Sequence, residues 1–280
     1  MIEVSVILPV FNKANYLSQC LESLGRQTQK NMEIIVVDDG NKPKLTVDNF
    51  ALKETLKTPI ILLRQEHKGA GAARNLGVKQ AKGKILVFID ADMYFEEDFV
   101  ADLVKPIAEG VTKGTFSKEE FVANWNNAWA RCWNYNFGLK NYRKIPENFP
   151  KEARVFRAIL TAEFKRVNGF DAAGYNDDWT LAKKLGYKAA LARGAVYYHF
   201  NPQTLGETLS QAKWRAKREY KYGFLGELYH LFGCLPPVSL LRGLLGTFRF
   251  HEPDFFLFAL VFDIGYLLGL LEKILFKNYY

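Results

Sequence analysis

Cysteine is scarce in this sequence, and the few present lie far apart. Cys20, Cys132 and Cys234 are odd in number, more than a hundred positions from one another, and never form a CxxC pair. Such spacing excludes a disulfide-stapled framework and a metal cluster, and it reads as reduced thiols in a cytosolic setting. A basic leader with a cleavage site is also missing: after the first Met the chain runs IEVSVILPV, which reads as a first strand and not a signal peptide. Internal repeats and low-complexity runs are absent, so solenoids and disordered linkers are excluded. The basic residues join no recognised reading motif, which sets nucleic-acid binding aside.

What the chain does hold is enough apolar matter for a large core, with 49% hydrophobic and 24% charged residues over 280 positions. Aromatic residues make up 15%, an excess that needs burial or a surface to meet. Basic residues number 38 and acidic ones 30, and the net charge of +8 suits phosphates or an acidic membrane surface.

Four β-branched runs, VSVILPV, MEIIVVDDG, PIILLRQ and GKILVFIDAD, are separated by the helix-length segments ANYLSQCLESLGRQ, KLTVDNFALKETL and GAGAARNLGVKQAKG. This alternation predicts an α/β fold whose mostly parallel sheet is flanked by helices. Residues 1–110 form a nucleotide-binding half. In such sheets ligands sit beyond the carboxyl ends of the strands, where Pro9 to Lys13, Asp38-Asp39-Gly40 and Asp90-Ala91-Asp92 all fall. From residue 111 a helical stretch is expected over FSKEEFVANWNNAWARCWNYNFGLKNY, with Trp125, Trp129 and Trp133 on one face as core packing or as an acceptor-binding wall. RVFRAILTAEFKRVNGFD, YNDDWTLAKKLGY and KAALARGAVYYHF then read as a strand, a helix carrying an acidic pair, and two short strands.

Asp90 and Asp92 stand two apart at a strand end. If the strand persists both carboxylates face one side, and if it turns they can converge on one cation. Two carboxylates and water suit Mg2+ or Mn2+ that also holds substrate phosphates, while the plain alternative is a pair of solvated turn residues. Asp39 either makes a turn with Gly40 or accepts hydrogen bonds from a nucleobase on which Phe11 packs, with Pro9 shaping the turn. GAGAARNLG does not match GxGxxG, yet it opens a helix with backbone N–H groups and Arg74, a plausible anion site. NDDW places Asp177 and Asp178 at a helix start, where they cap the helix or supply a base. Trp179 packs beneath an acceptor or fills the core. His199 in YYHFNP is a satisfied histidine or a further metal ligand.

In this order, LPVFN, IIVVDDG, HKGAGAARNLG, FIDAD, FKRVNGFD and NDDW resemble a family 2 glycosyltransferase over residues 2 to 202. The resemblance implies the GT-A (Rossmann-like) fold, a nucleotide-diphosphate sugar donor carrying UDP or GDP, a divalent metal (Mn2+ or Mg2+), and inversion at the anomeric centre. It implies further that Pro9, Phe11 and Asp39 line the nucleotide site, and that Arg74, Asp90 and Ala91 lie near the nucleotide sugar. Asp92 is then the direct metal ligand, supported by Asp90 and His199. Asp178 is the base, Asp177 its structural or acceptor-binding neighbour, and Trp179 faces the acceptor. Residues 111–202 become the acceptor-binding half of the same domain. Asn41 and Thr180 stand where the family often has serine and an acidic residue.

Residues 203–280 differ in character. LGETLSQAKWRAKREYKYG predicts a helix with Lys213, Arg215, Lys217, Arg218 and Lys221 close together, which suits anionic headgroups at about 1 kcal/mol each. FFLFALVFDIGYLLGLL has 17 residues with Asp263 at its middle. As a helix it reaches about 25 Å, short of a hydrocarbon core of roughly 30 Å, and a central Asp costs about 2.5–3.5 kcal/mol. A helix lying in the membrane surface is therefore favoured over a span or a protein-buried helix. The expected enzyme is a hexosyltransferase peripheral or monotopic on the cytoplasmic face of the membrane, acting on a lipid-linked or glycan acceptor. Two other readings are a sugar nucleotidyltransferase, which calls for a glycine-rich loop that LPVFNK lacks, and a non-catalytic nucleotide- or membrane-binding module.

Overall fold

A computed structural model of the chain describes residues 2–46, 58–171 and 177–276. The first four apolar runs fold as strands β1 (Val4–Val10), β2 (Met32–Asp38), β3 (Ile60–Arg64) and β4 (Ile85–Phe88). They lie parallel in the order β3-β2-β1-β4, with helices α1 (Ala14–Gly25) and α2 (Ala70–Gln80) in the intervening segments. Alternate side chains of each strand leave on opposite faces, so one sheet makes two cores. Val6, Leu8, Ile34, Val36 and Val87 pack with Leu17 and Leu21 of α1, while Ile7, Ile35, Leu86 and Phe88 pack with Ala73 and Val78 of α2. Each fully buried Val, Leu, Ile or Phe of this kind contributes roughly 1.5–3 kcal/mol. The helix expected over KLTVDNFALKETL falls largely on residues 47–57, outside the described residues.

β4 ends earlier than its apolar run suggests, and the chain turns at Ala91-Asp92 into β5 (Met93–Phe95) and α3 (Phe99–Ala108). After these come β6 (Gly114–Phe116), β7 (Glu120–Val122), α4 (Ala128–Asn136), β8 (Glu152–Ala153), β9 (Ala158–Leu160), α5 (Thr161–Arg166), α6 (Asp177–Leu185), β10 (Ala189–Leu191) and β11 (Tyr197–His199). The eight-stranded sheet continues from β4 as β9-β6-β10-β8, and β9 runs antiparallel to both of its neighbours. A second, three-stranded sheet has the order β5-β11-β7. The fold is thus a mixed α/β sheet flanked by helices, with the acidic turns at the carboxyl ends of β2 and β4 and the loop after β1 beside them.

The chain sorts into two compact units, one holding segments 2–121, 145–171 and 177–199 and both sheets, the other 122–144 and 200–276. The second unit is helical: α4, then α7 (Leu205–Ala216), α8 (Phe224–Gly233), α9 (Pro236–Phe250) and α10 (Asp254–Phe276). Its core gathers Trp133, Phe255, Phe258, Phe262 and Tyr266 around α10.

Three helical expectations are corrected here. The continuous helix over 116–142 is instead two short strands, a turn and α4, because the Asn127 side chain accepts the Ala130 N–H at 3.1 Å and starts the helix only there. Trp125 therefore lies outside the helix, and Trp129 and Trp133 pack on Phe258. The basic helix ends at Ala216, and its charges are partly spent inside the unit: Lys213 and Lys217 both reach Glu272, at 2.5 and 3.1 Å. The apolar helix is longer than its apolar run, at 23 residues or about 34 Å, because Glu272 and Lys273 find partners and the helix continues past them. On length and composition it can cross a membrane. Asp263 at its middle is buried and paired with Arg242 of α9.

Candidate active site

The loops after β1 and β2 are tied together by a residue that the sequence marked only as a departure from its family. Asn41 accepts the Asn12 N–H at 2.8 Å through Oδ1 and donates through Nδ2 to the Val10 carbonyl and to Asp38 Oδ1. Asp38 is buried, and burial alone raises its pKa. Hydrogen bonds from Asn41 and Leu45 and the Arg64 guanidinium outweigh that effect and hold the carboxyl below its ordinary value. Asp39 beside it is filled on both oxygens. Gln65 Nε2 and the Lys68 N–H donate to Oδ1 at 2.7 and 3.0 Å, and His67 Nδ1 and the Gly69 N–H meet Oδ2 at 2.9 and 3.0 Å. The carboxylate therefore shapes the 65–69 loop and sets the His67 ring flat against Phe11, with centroids 3.7 Å apart. Pro9 lies on β1 just ahead of this pair, and a cavity of about 340 Å³ opens alongside, lined by Asn12, Asn41 and Lys42 among others.

α2 carries the centre of the site. Arg74, on its first turns, is 95% buried in effect (5% exposed) and splits its guanidinium between two carboxylates, Nη1 to Asp178 Oδ1 at 2.5 Å and Nη2 to Asp90 Oδ1 at 2.7 Å. A second arginine, the partly buried Arg157, reaches the other oxygen of Asp90 at 3.2 Å. Burial pushes the Asp90 carboxyl up, but Arg74 and Arg157 together hold it below its ordinary value. Asp177 is buried and accepts the Gly71 N–H of α2 at 2.9 Å. A side chain at position 71 would meet Asp177 Oδ2 at 2.6 Å, so only glycine lets α6 close on α2 here. Trp179 is exposed, and the Arg154 guanidinium lies 5.8 Å from its ring centre.

Asp92 takes different partners from Asp90, because the chain turns between them. Ala91 is buried in the turn, while Asp92 Oδ2 lies 3.2 Å from Lys13 Nζ and Oδ1 lies 3.3 Å from His199 Nε2. The other nitrogen of His199, Nδ1, is 2.7 Å from Glu120, which also accepts the Tyr197 hydroxyl at 2.9 Å. The structure thus brings Arg74, Asp90 and Asp178 into one cluster and Asp92 and His199 into another, with Phe11 and Asp39 on the loops after β1 and β2. Lys13, His67, Glu120 and Arg157 join them without having been given a role in the sequence, as does Asn41, noted there only as a departure. Among the described residues no group of three or more His, Cys, Asp or Glu side chains is placed to hold a metal.

Residues 5–166 match the pattern of Glycosyl transferase family 2. The chain belongs to that family. It is 39% identical to glycosyltransferase GlyA of Streptococcus pneumoniae serotype 4 over 151 residues, 52% of this chain and 20% of GlyA. With glycosyltransferase GlyG of the same organism the identity is 34% over 109 residues, 38% of this chain and 35% of GlyG. The chain thus spans only 20% and 35% of the length of these curated relatives. Among solved structures it resembles the mannosyltransferase PcManGT of Pyrobaculum calidifontis in complex with GDP-Man and Mn2+ (TM-score 0.60, 18% identity, 99% of this chain and 88% of that one). It also resembles S. aureus TarS 1-349 in complex with UDP-GlcNAc (TM-score 0.58, 18% identity, 100% and 93%). The structural likenesses give the chain a GT-A-type fold, and the family membership favours the glycosyltransferase reading over the nucleotidyltransferase one.

Proposed function

We propose that this family 2 glycosyltransferase moves a hexose from UDP- or GDP-sugar to a lipid-linked or glycan acceptor, with inversion, at the cytoplasmic surface of a membrane. The observation that carries the reading is the Arg74 guanidinium, which joins Asp178 of NDDW to Asp90 of FIDAD across 104 and 16 positions of sequence. A base for the acceptor and an anchor for the donor are thereby held on one rigid group.

In this reading residues 1–110 are the donor half and 111–202 the acceptor half, and the base stacks near Phe11 and Pro9 over the loop that Asp39 holds. Arg74, Asp90 and Ala91 line the sugar and diphosphate. Asp92 and His199, 3.3 Å apart, suit a divalent ion that takes its remaining ligands from phosphate and water. Asp90 supports them, although its own oxygens are engaged by two arginines. Mn2+ or Mg2+, when bound there, supplies positive charge to the departing diphosphate. Lys13 and Arg157 add fixed charge on the protein side. Asp178, on the first turn of α6, takes the proton of the acceptor hydroxyl as the acceptor oxygen bonds to the anomeric carbon, and the electron pair of the broken bond leaves with the diphosphate. Asp177 fixes the start of α6, and Trp179 offers its exposed ring to the acceptor.

The test is a donor screen: the chain with Mn2+ or Mg2+, a panel of nucleotide sugars and a membrane lipid extract, following nucleotide release. At least one donor turns over, and Asp178→Asn and Asp92→Ala each slow it by about 100-fold or more. Turnover in both variants at the wild-type rate would sink the assignment.

A further inference from the structure

Helices α8 and α9 are built inside out for a protein surface in water. From Tyr222 to Phe248 the exposed side chains are tyrosine, phenylalanine, leucine, valine and proline; none is charged. Leu225, Tyr229, Leu241, Leu245 and Phe248 are 57% exposed or more. The charges of this stretch turn inward instead. Glu227 meets Lys273 of α10 at 2.7 Å, and Arg242 pairs with the buried Asp263. The two helices meet at a 63° bend before Pro236, so they form a shallow V and not one rod. The first exposed residues on either flank, Lys221 and Arg249, are both cations, and among the described residues no carboxylate pairs with them.

α10 is constrained differently. Gly265 and Gly269 let its backbone touch α7, where a side chain at position 265 would meet the Leu209 carbonyl at 2.5 Å and one at 269 would collide with the Lys213 carbonyl. α7 carries Glu207, Lys213 and Arg215, so an α10 that crossed a bilayer would draw those charges into hydrocarbon with it.

We infer that the V of α8 and α9 is the membrane-seating element: it lies in one leaflet of a phospholipid bilayer with Lys221 and Arg249 at the phosphates, and α10 is an internal strut, not a span. This rests on the membrane-surface reading above and names the part of the chain that carries it. The occupant is lipid because the face is apolar throughout and bordered by cations, the charge pattern of an anionic headgroup layer over acyl chains.

Flotation of the full chain on phosphatidylcholine vesicles containing phosphatidylglycerol tests it. The wild type floats and still floats in about 0.5 M salt, since screening weakens exposed charges but not apolar seating. Leu241→Glu with Leu245→Glu, both on the exposed face and so leaving the fold and its circular dichroism intact, reduces the floated fraction by about tenfold or more. In Phe248→Trp the added fluorescence is quenched by lipids brominated along the acyl chains. If the wild type does not float, the membrane reading itself fails. If it floats and the double variant floats equally, α10 or another surface holds the membrane and the inference is overturned. It is overturned equally if the wild type is a stable dimer without lipid and the double variant a monomer, for the face then belongs to a second copy.

Discussion

Glu120 occupies one nitrogen of His199 at 2.7 Å and so leaves the other, Nε2, toward Asp92. Its second oxygen is tied to the Tyr197 hydroxyl, which keeps the carboxylate from swinging away. A histidine oriented in this way is the usual arrangement behind a metal ligand. Glu120→Gln is therefore expected to weaken Mn2+ binding, read by calorimetry on the full chain, by about 10–100-fold, with the donor KM unmoved at saturating metal. Equal Mn2+ affinity in the variant would assign Glu120 to packing alone. At this scale the sequence was informative where chemistry is local: Asp90, Asp92, Arg74 and Asp178 stand in short motifs at strand or helix ends. Glu120 and Arg157 were not visible, because a common charged residue carries no local pattern and their partners lie 79 and 67 positions away. Asn41 was visible only as an oddity, although its side chain joins two loops.

Among the helices, the contact of α10 with α7 is the one most exposed to a single substitution. Gly269→Val would push a branched side chain into the Lys213 carbonyl, and overpacking of this kind costs about 1–3 kcal/mol. Gly206, on the first turn of α7, faces open space, so Gly206→Ala is neutral or stabilising by up to about 1 kcal/mol. Thermal unfolding of the two variants in the same detergent separates a backbone contact from a general intolerance of larger residues, and equal midpoints would refute the contact. β1 to β4 could be read directly from their runs, which are long, apolar and local. β6, β7 and β9 are three residues each and exist only because distant partners complete their hydrogen bonds, so no window of sequence reveals them. The spacing of four between tryptophans suggested a helix from residue 116, twelve residues too early, and a single capping asparagine decided where it begins.

Taken as a molecule, the chain does not treat its C-terminal segment as a detachable anchor. Phe258 and Phe262 of α10 cover Trp133 of α4, and Ala212 and Ala216 of α7 share that core. Removal of residues 236–280 is accordingly expected to yield aggregate and not a detergent-free enzyme, measured as the soluble fraction after ultracentrifugation; a soluble, monodisperse product would show that α4 and α7 stand without α10. The sheet has a comparable dependence, set in time. β9 lies between β4 and β6, so the free edge of β4 stays open until residue 160 has left the ribosome, some seventy residues after β4 itself. Through that interval of synthesis a nearly complete parallel sheet waits with an unpaired margin, the form most inclined to pair with the wrong strand.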